Sequence, residues 1–299
     1  MRRFFSYVEI TTKITSTFAF LLTVAFLLYQ KYIINWKLTL IFFTSMLLFD
    51  FTTTAINNYI DTKDNNQTLH FQRRTALILI YLLFGISASL GIYLAFLTDV
   101  VVLLSGGICF LFGVFYTYGP VPISRQPLGE FLSGFFYGFL IPFILLYINM
   151  PKGTLLTLDL SYEIITFQLK VIPLLSLLLI SVIPFCTTAN IMLANNICDL
   201  EKDIAVKRHT LPYYIGEKSL FLFAGLYYIA YFAIIMMVVF QILSPLCLLS
   251  LLTIIFVQKN IKSFFKKQDK ETTFILAVRN YVIIMGIITL LIFLSALHV

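Results

Sequence analysis

Charge is what this 299-residue chain has least of: Asp, Glu, Lys and Arg together make up 12% of it, about half the share in a soluble globular domain. With 60% hydrophobic residues and a mean hydropathy of +0.95, that scarcity excludes a soluble fold and leaves a polytopic membrane protein. Its four cysteines, Cys109, Cys186, Cys198 and Cys247, sit in or at the ends of apolar segments without paired spacing. Disulfide and zinc frameworks are thereby excluded. Acidic residues are scarcer than basic ones, 14 against 21, for a net charge of +7. The basic excess lies in short loops between apolar runs and on no one soluble face, which argues against nucleic acid and for membrane orientation. Arg2, Arg3 and Lys13 precede an apolar run with no small-residue cleavage site after it, so the run is expected to be a retained first span and not a signal peptide.

What is present is a series of apolar runs near the roughly 20 residues that a bilayer crossing requires. Nine are expected, near 15–34, 38–59, 75–97, 100–118, 128–150, 171–195, 219–239, 241–257 and 274–297. With the N-terminus in the cytoplasm, all but four of the 21 Lys and Arg residues fall inside, the exceptions being Lys31, Lys37, Lys152 and Lys170. That bias puts the C-terminus outside. The expected architecture is an all-α membrane protein, residues 1–299 forming one integral-membrane domain, a nine-helix bundle with a central cavity open to the cytoplasm.

Two spans end in polar clusters. Asn195, Asp199 and Asp203 fall at i, i+4 and i+8, so on a helix they share one face. Asn57, Asn58, Asp61 and Asp64 close the second span, and Asn57 and Asp61 precede Asn195 and Asp199 by the same 138 residues. Amide and carboxylate oxygens are the ligands that Mg²⁺ takes, usually few in number and completed by water and phosphate. Asn57, Asp61, Asp64, Asn195, Asp199 and Asp203 are therefore the expected metal ligands, on two helix ends that face each other. Above them, Asp50, Thr53 and Thr54 in the second span, and Thr187, Thr188 and Asn190 in the sixth, extend the polar stripes. A charge at that depth costs about 2.5–3.5 kcal/mol on insertion scales, so such stripes should face protein or a wet cavity.

Tyr116-Thr117-Tyr118-Gly119-Pro120-Val121-Pro122, followed by Arg125 and Leu128-Gly129-Glu130, reads as a tight cytoplasmic turn or an ordinary helix connection. The loop near 150–170 is mixed in composition and shows no motif. The basic run from Lys259 to Lys270 is expected to answer the anionic inner leaflet.

Clustered oxygen ligands beside cations suit a diphosphate held through Mg²⁺. For an allylic diphosphate, the metal neutralises the leaving group as the C1–O bond ionises. Lys63, Arg73, Arg74, Lys207 and Arg208 are the candidates to share that charge. The 31 Phe and 17 Tyr suit a polyprenyl tunnel, and equally suit membrane packing.

These motifs resemble the UbiA superfamily of intramembrane aromatic prenyltransferases, along essentially the whole chain. Members typically have nine transmembrane helices, an N-D-x-x-D-x-x-x-D motif after the second and D-x-x-x-D after the sixth. This sequence has Asn57-Asn58-Tyr59-Ile60-Asp61 and Asp199-Leu200-Glu201-Lys202-Asp203 in those places. Asn195 through Asp199, Lys207-Arg208-His209-Thr210-Leu211, and Tyr116 through Glu130 look most like the branch that acts on 1,4-dihydroxy-2-naphthoate in menaquinone synthesis. There are departures: Asn58 replaces the usual Asp, and Asn65 stands four after Asp61, with Asp64 one residue earlier. Either Asp64 completes the first site, or that half binds its metal more weakly. Val206 and His209 interrupt the usual Gly-Lys-Arg-Thr wording, leaving His209 as either a general base or a solvated helix-end group.

By that resemblance Asn57, Asp61, Asn195, Asp199 and Asp203 are the catalytic residues, Mg²⁺ is the cofactor, and polyprenyl diphosphate, an aromatic acid and membrane lipid are the partners, with no protein partner implied. The reaction would be electrophilic substitution with loss of carbon dioxide, giving a demethylmenaquinone. Tyr118 and Arg125 are the candidates to contact the acceptor, Arg125 through its carboxylate. The alternatives are a prenyltransferase of the same superfamily acting on another acceptor, such as 4-hydroxybenzoate, and a secondary transporter, which Asp50 within a span would suit.

Overall fold

The computed structural model describes residues 2–64, 69, 71–119 and 122–298. They form two compact units, Met1–Thr17 with Asn35–Ile123, and Phe18–Ile34 with Ser124–Val299. The chain passes between them within its first long helix, before its second, and after the turn that precedes Ser124.

The first unit opens with α1 (Arg2–Tyr7), a 3-10 turn (Ile10–Lys13) and the start of α2 (Ile14–Tyr29). It continues through α3 (Trp36–Asp64), α4 (Arg73–Leu97) and α5 (Val100–Phe115). At about 1.5 Å per residue, the 29 residues of α3 extend roughly 43 Å, beyond a hydrocarbon core about 30 Å thick. That excess length carries the polar end of the second span clear of the apolar region. Tyr7, Val8, Phe51, Ala55, Ala76, Ile80 and Leu83 form a core between α1, α3 and α4. The Tyr7 hydroxyl pins it by donating to the Ala55 carbonyl at 2.9 Å.

In the second unit, α6 (Gly129–Ser133), a π-helical segment (Gly134–Leu140) and α7 (Ile141–Asn149) make one interrupted span. The interruption has two local causes. Pro142 has no amide hydrogen to continue the ladder, and Gly138 lies so close to α8 (Val171–Cys198) that an added Cβ would stand 2.2 Å from the Phe185 nitrogen. Pro184, one residue before that contact, lies inside α8. The rest of the unit comprises α9 (Leu200–Ala205), α10 (Leu211–Ile215), α11 (Lys218–Val239), a 3-10 segment (Pro245–Thr253), α12 (Ile254–Lys266) and α13 (Phe274–His298). Its core is centred on α8, with Leu177, Ile180, Ile183 and Leu193 fully buried beside Phe223, Tyr227 and Tyr281.

Among the described residues, eight helices are long and apolar enough to cross a membrane, and the 16-residue Val100–Phe115 is shorter. The chain is thus a multi-pass membrane protein. The eighth expected span is displaced: it runs from Pro245 to Lys266 instead of 241–257. Ser244 caps its start, accepting from the Leu246 amide, and Pro245 follows in the first turn. At its other end Lys259, Lys262 and Lys266 ride on α12 while Val257, Ile261 and Phe264 are buried.

The 150–170 loop has more order than its composition suggests. β1 (Leu156–Leu160) and β2 (Ile165–Leu169) pair antiparallel. Their register stacks Leu156 on Leu169, Leu158 on Phe167 and Leu160 on Ile165, with Thr157, Gln168, Asp159 and Thr166 on the other face. Two short strands of alternating polarity, six residues apolar on one side, are easily lost inside a sequence that is apolar nearly everywhere.

Candidate functional site

Asn195 and Asp199 lie on the last turn of α8 and just past it. Although Asp199 leaves helical geometry, the backbone keeps the i to i−4 pattern: its amide donates to the Asn195 carbonyl at 3.0 Å, and the Asp203 amide donates to the Asp199 carbonyl at 2.8 Å. The three oxygen-bearing side chains are therefore held at successive turns of one continuous hydrogen-bonded path.

A cation already sits there. The Lys270 ammonium, from the turn between α12 and α13, donates to Asn195 Oδ1 and to Asp199 Oδ2, and lies 4.9 Å from the centre of the Phe274 ring. Asp203 has a different environment. It is buried, and Arg208 approaches with Nη1 3.8 Å from Oδ1. Burial pushes the Asp203 carboxyl above the ordinary carboxylate range, and the Arg208 charge opposes that push. Its Oδ2 accepts no well-formed hydrogen bond among the described residues, with the Thr210 hydroxyl near enough to ease its charge.

Arg208 is held in place from several sides. Its amide donates to the Asp203 carbonyl at 2.8 Å and its Nε to the Ser124 carbonyl at 2.8 Å. Lys207, just before it, is exposed and takes a left-handed φ of 55°. The His209 amide donates to the Arg125 carbonyl at 3.2 Å, so the 3-10 turn Ile123–Arg125 and the segment after α9 are tied together. The His209 ring packs tilted against the Tyr213 ring, their centres 4.4 Å apart. The Arg125 side chain is exposed. Behind the cluster, buried Asn196 donates to Glu130 Oε1 at 2.9 Å. Asn190 and Thr187 are fully buried against protein: Asn190 donates to the Phe223 carbonyl and Thr187 to the Ile183 carbonyl.

In the first unit, the Thr117 hydroxyl donates to Asn57 Oδ1. Asn58 turns the other way, donating to the Tyr7 carbonyl at 2.8 Å and to Glu9 Oε1 at 3.2 Å, so it anchors the N-terminal segment. Asp61 is exposed near the end of α3. Lys63 and Asp64 close that helix, but their side chains, like Asn65, lie outside the described residues. Arg73 donates to the Tyr59 carbonyl at 3.3 Å and covers the Tyr59 ring at 5.2 Å. Arg74 and Tyr118 are exposed. Higher in α3, Asp50 and Thr54 are bonded to Lys13.

The donor set fits a hard divalent cation. Asn195, Asp199 and Asp203 all carry oxygen donors, an ammonium occupies the position between two of them, and the Asp203 carboxylate is buried one turn further on. Among the described residues no three His, Cys, Asp or Glu side chains gather closely enough to enclose a metal by themselves. Such a site would leave positions for water and phosphate oxygen, which is how Mg²⁺ is usually held.

Sequence reasoning missed the contact that Lys270 makes with Asn195 and Asp199. That lysine closes a basic run that reads as a membrane-facing patch, and its partners are 75 and 71 residues away. No spacing rule connects them.

The sequence profile of the UbiA prenyltransferase family matches residues 18–284. The 1,4-dihydroxy-2-naphthoate octaprenyltransferase of Bacillus subtilis (strain 168) is 27% identical over 226 residues, which cover 70% of this chain and 66% of that relative. The chain thus spans slightly less than two thirds of the relative's length. Among solved structures, a UbiA homologue from Archaeoglobus fulgidus bound to GPP and Mg²⁺ matches with a TM-score of 0.64 at 14% identity, covering 98% of this chain and 99% of that one. The apo UbiA homologue from Aeropyrum pernix K1 matches with a TM-score of 0.65 at 16% identity, covering 93% and 98%. At those identities the likeness is one of fold.

Proposed function

Because the chain belongs to the UbiA prenyltransferase family, we propose that it transfers a polyprenyl group from an allylic polyprenyl diphosphate to 1,4-dihydroxy-2-naphthoate. The observation that carries this reading is the cation seat made by Asn195 and Asp199, with the buried carboxylate of Asp203 one turn further on. The naphthoate is supported by the 27% identical relative that bears that activity in its name. An Mg²⁺-dependent diphosphate is supported by a fold relative described with GPP and Mg²⁺.

When bound, Mg²⁺ would neutralise the departing diphosphate. Asn195, Asp199 and Asp203 would hold it through oxygen, and Asn57 and Asp61 would offer a second such set on α3. Arg208 stands beside Asp203, positioned by the Ser124 carbonyl, where its fork suits a phosphate oxygen. Lys207, Arg74 and Lys63 are further diphosphate partners in this reading. Arg73, which donates to the Tyr59 carbonyl and covers the Tyr59 ring, is another. Tyr118 and Arg125 contact the acceptor, Arg125 through the naphthoate carboxylate. The new bond joins the prenyl C1 to the ring carbon that carries the carboxylate, the C1–O bond breaks, and the carboxylate leaves as carbon dioxide. The immediate product is the quinol of a demethylmenaquinone.

In the membrane, Val100–Phe115 is the short ninth span of a bundle with its N-terminus in the cytoplasm and its C-terminus outside. The backbone bonds that continue past its end, from the Tyr116 amide to the Phe112 carbonyl and from the Tyr118 amide to the Val114 carbonyl, support that reading.

The test is prenyl transfer by the purified protein, given labelled farnesyl or geranylgeranyl diphosphate with either the naphthoate or 4-hydroxybenzoate, with and without Mg²⁺. Metal-dependent product from the naphthoate alone is the expected result. Product from the benzoate alone would reassign the acceptor, and no product from either would remove the reading.

A further inference from the structure

We propose that Lys270 is a tethered counter-cation that keeps the Asn195–Asp199 end closed to free divalent metal, and releases it when an anionic diphosphate takes over its ammonium. Metal and diphosphate then bind as a pair, each weakly without the other. The inference rests on reading that end as the Mg²⁺-diphosphate site.

Three observations lead to it. The first is position: the ammonium is bonded to Asn195 Oδ1 and Asp199 Oδ2, the two oxygens that a metal at this end would take. A metal and Lys270 cannot occupy them together.

The second is charge. Asp199 is paired with Lys270 and Asp203 with Arg208, so each of the two carboxylates meets a cation before any ligand arrives. A bare divalent ion would have to displace Lys270 from its bonds to Asn195 and Asp199 and offers the ammonium no partner in exchange. A diphosphate supplies the anion that the ejected ammonium needs, and the exchange becomes one of partners.

The third is mobility of the right part. The turn that delivers Lys270 is firmly built. Asp269 Oδ1 accepts from the Thr272 amide at 2.8 Å and from its hydroxyl at 2.6 Å, and the Asp269 amide donates to the Thr273 hydroxyl at 2.8 Å. Those bonds to Thr272 hold the Asp269 carboxyl down at about 2. The Lys270 side chain itself is 36% exposed and that of Asp199 20%, whereas in the buried Lys13–Asp50 pair the figures are 5% and 6%. A fixed backbone carries a flexible four-carbon arm whose charged end reaches water, so the ammonium can exchange.

The test measures Mn²⁺ binding to the purified full-length protein by the loss of the free-ion electron paramagnetic resonance signal. It is run with and without an unreactive thiolo analogue of farnesyl diphosphate. In the wild type the analogue should tighten Mn²⁺ binding by about tenfold, a typical coupling between linked sites. Lys270→Gln should bind Mn²⁺ alone about tenfold more tightly than the wild type, and the coupling to the analogue should fall towards one. Lys270→Arg, which keeps the charge, should behave like the wild type. An unchanged melting temperature in the variants shows that folding is intact. If Lys270→Gln keeps the wild-type coupling while Asp199→Asn loses the metal, the site reading stands and the counter-cation is overturned. If the wild type binds no Mn²⁺ even with the analogue, the site reading falls and takes the counter-cation with it.

Discussion

Lys13 and Asp50 form a buried ion pair at 3.0 Å, with each side chain about 5% exposed. Asp50 Oδ2 accepts from Ser16 at 2.7 Å and Lys13 also donates to Thr54 at 2.5 Å, so both charges are paired and further hydrogen-bonded. This accounts for an aspartate within a span without a transport role, and it withdraws Lys13 from the charges that simply mark the cytoplasmic side. Removing one partner strands the other. Lys13→Met or Asp50→Asn alone should destabilise the protein by about 3–5 kcal/mol, seen as a lower unfolding temperature in detergent. The double variant should recover most of the loss, and equal losses in single and double variants would show that the pair itself is not what matters.

Asp199→Asn and Asp203→Asn should each lower Mg²⁺-dependent prenyl transfer by about 10²–10³-fold, the usual cost of removing one preorganised charge-stabilising group. Melting temperatures should stay close to the wild type, because Asp199 is partly exposed and Asp203 already bears the cost of burial. Activity within a few-fold of normal in either variant would take that residue out of the site.

Gly138 faces the α8 backbone so closely that a methyl group would overlap the Phe185 nitrogen and Cα, at 2.2 and 2.3 Å. Backbone cannot step aside as a flexible side chain can. Gly138→Ala should therefore cost at least about 1–3 kcal/mol through overpacking, whereas Gly107→Ala, where nothing lies within 4 Å of an added Cβ, should be neutral or slightly stabilising. Thermal unfolding of the two variants side by side tests the contrast.

The apolar face of the hairpin grows more exposed towards its tip, from 8% at Leu156 to 56% at Leu160 and 71% at Ile165. It continues into the exposed first turn of α8 at Val171 and Ile172, so this face should rest in the headgroup region of the bilayer. A tryptophan at Phe167, in a Trp36→Phe background that removes the native one, should fluoresce at short wavelength and be quenched by brominated lipid. Emission typical of water, without quenching, would place that face in solvent or against another protein.

The sequence alone was enough for the class of protein, because period and composition decide it. Apolar runs of bilayer length leave the backbone no alternative to helix, and Asn195, Asp199 and Asp203 at intervals of four share a helix face whatever packs around them. The motifs at Asn57–Asp61 and Asn195–Asp203 carried the family for the same reason: they are local. What the tertiary structure alone decided was who neutralises whom. Lys270 and Lys13 look like two more positive-inside charges, yet one holds Asn195 and Asp199 across 71 to 75 residues and the other is buried against Asp50. Of the two surroundings open to the polar stripes, protein or a wet cavity, Asn190 and Asn58 take protein, donating to the carbonyls of Phe223 and Tyr7. The hairpin at 156–169 and the π-helical turn at Gly138 depend on strand pairing and on the proximity of the Phe185 backbone. For the Lys and Asn side chains the partner is distant in sequence, and in a low-dielectric interior a polar group takes whichever partner the fold brings within reach, a choice that residue spacing does not encode.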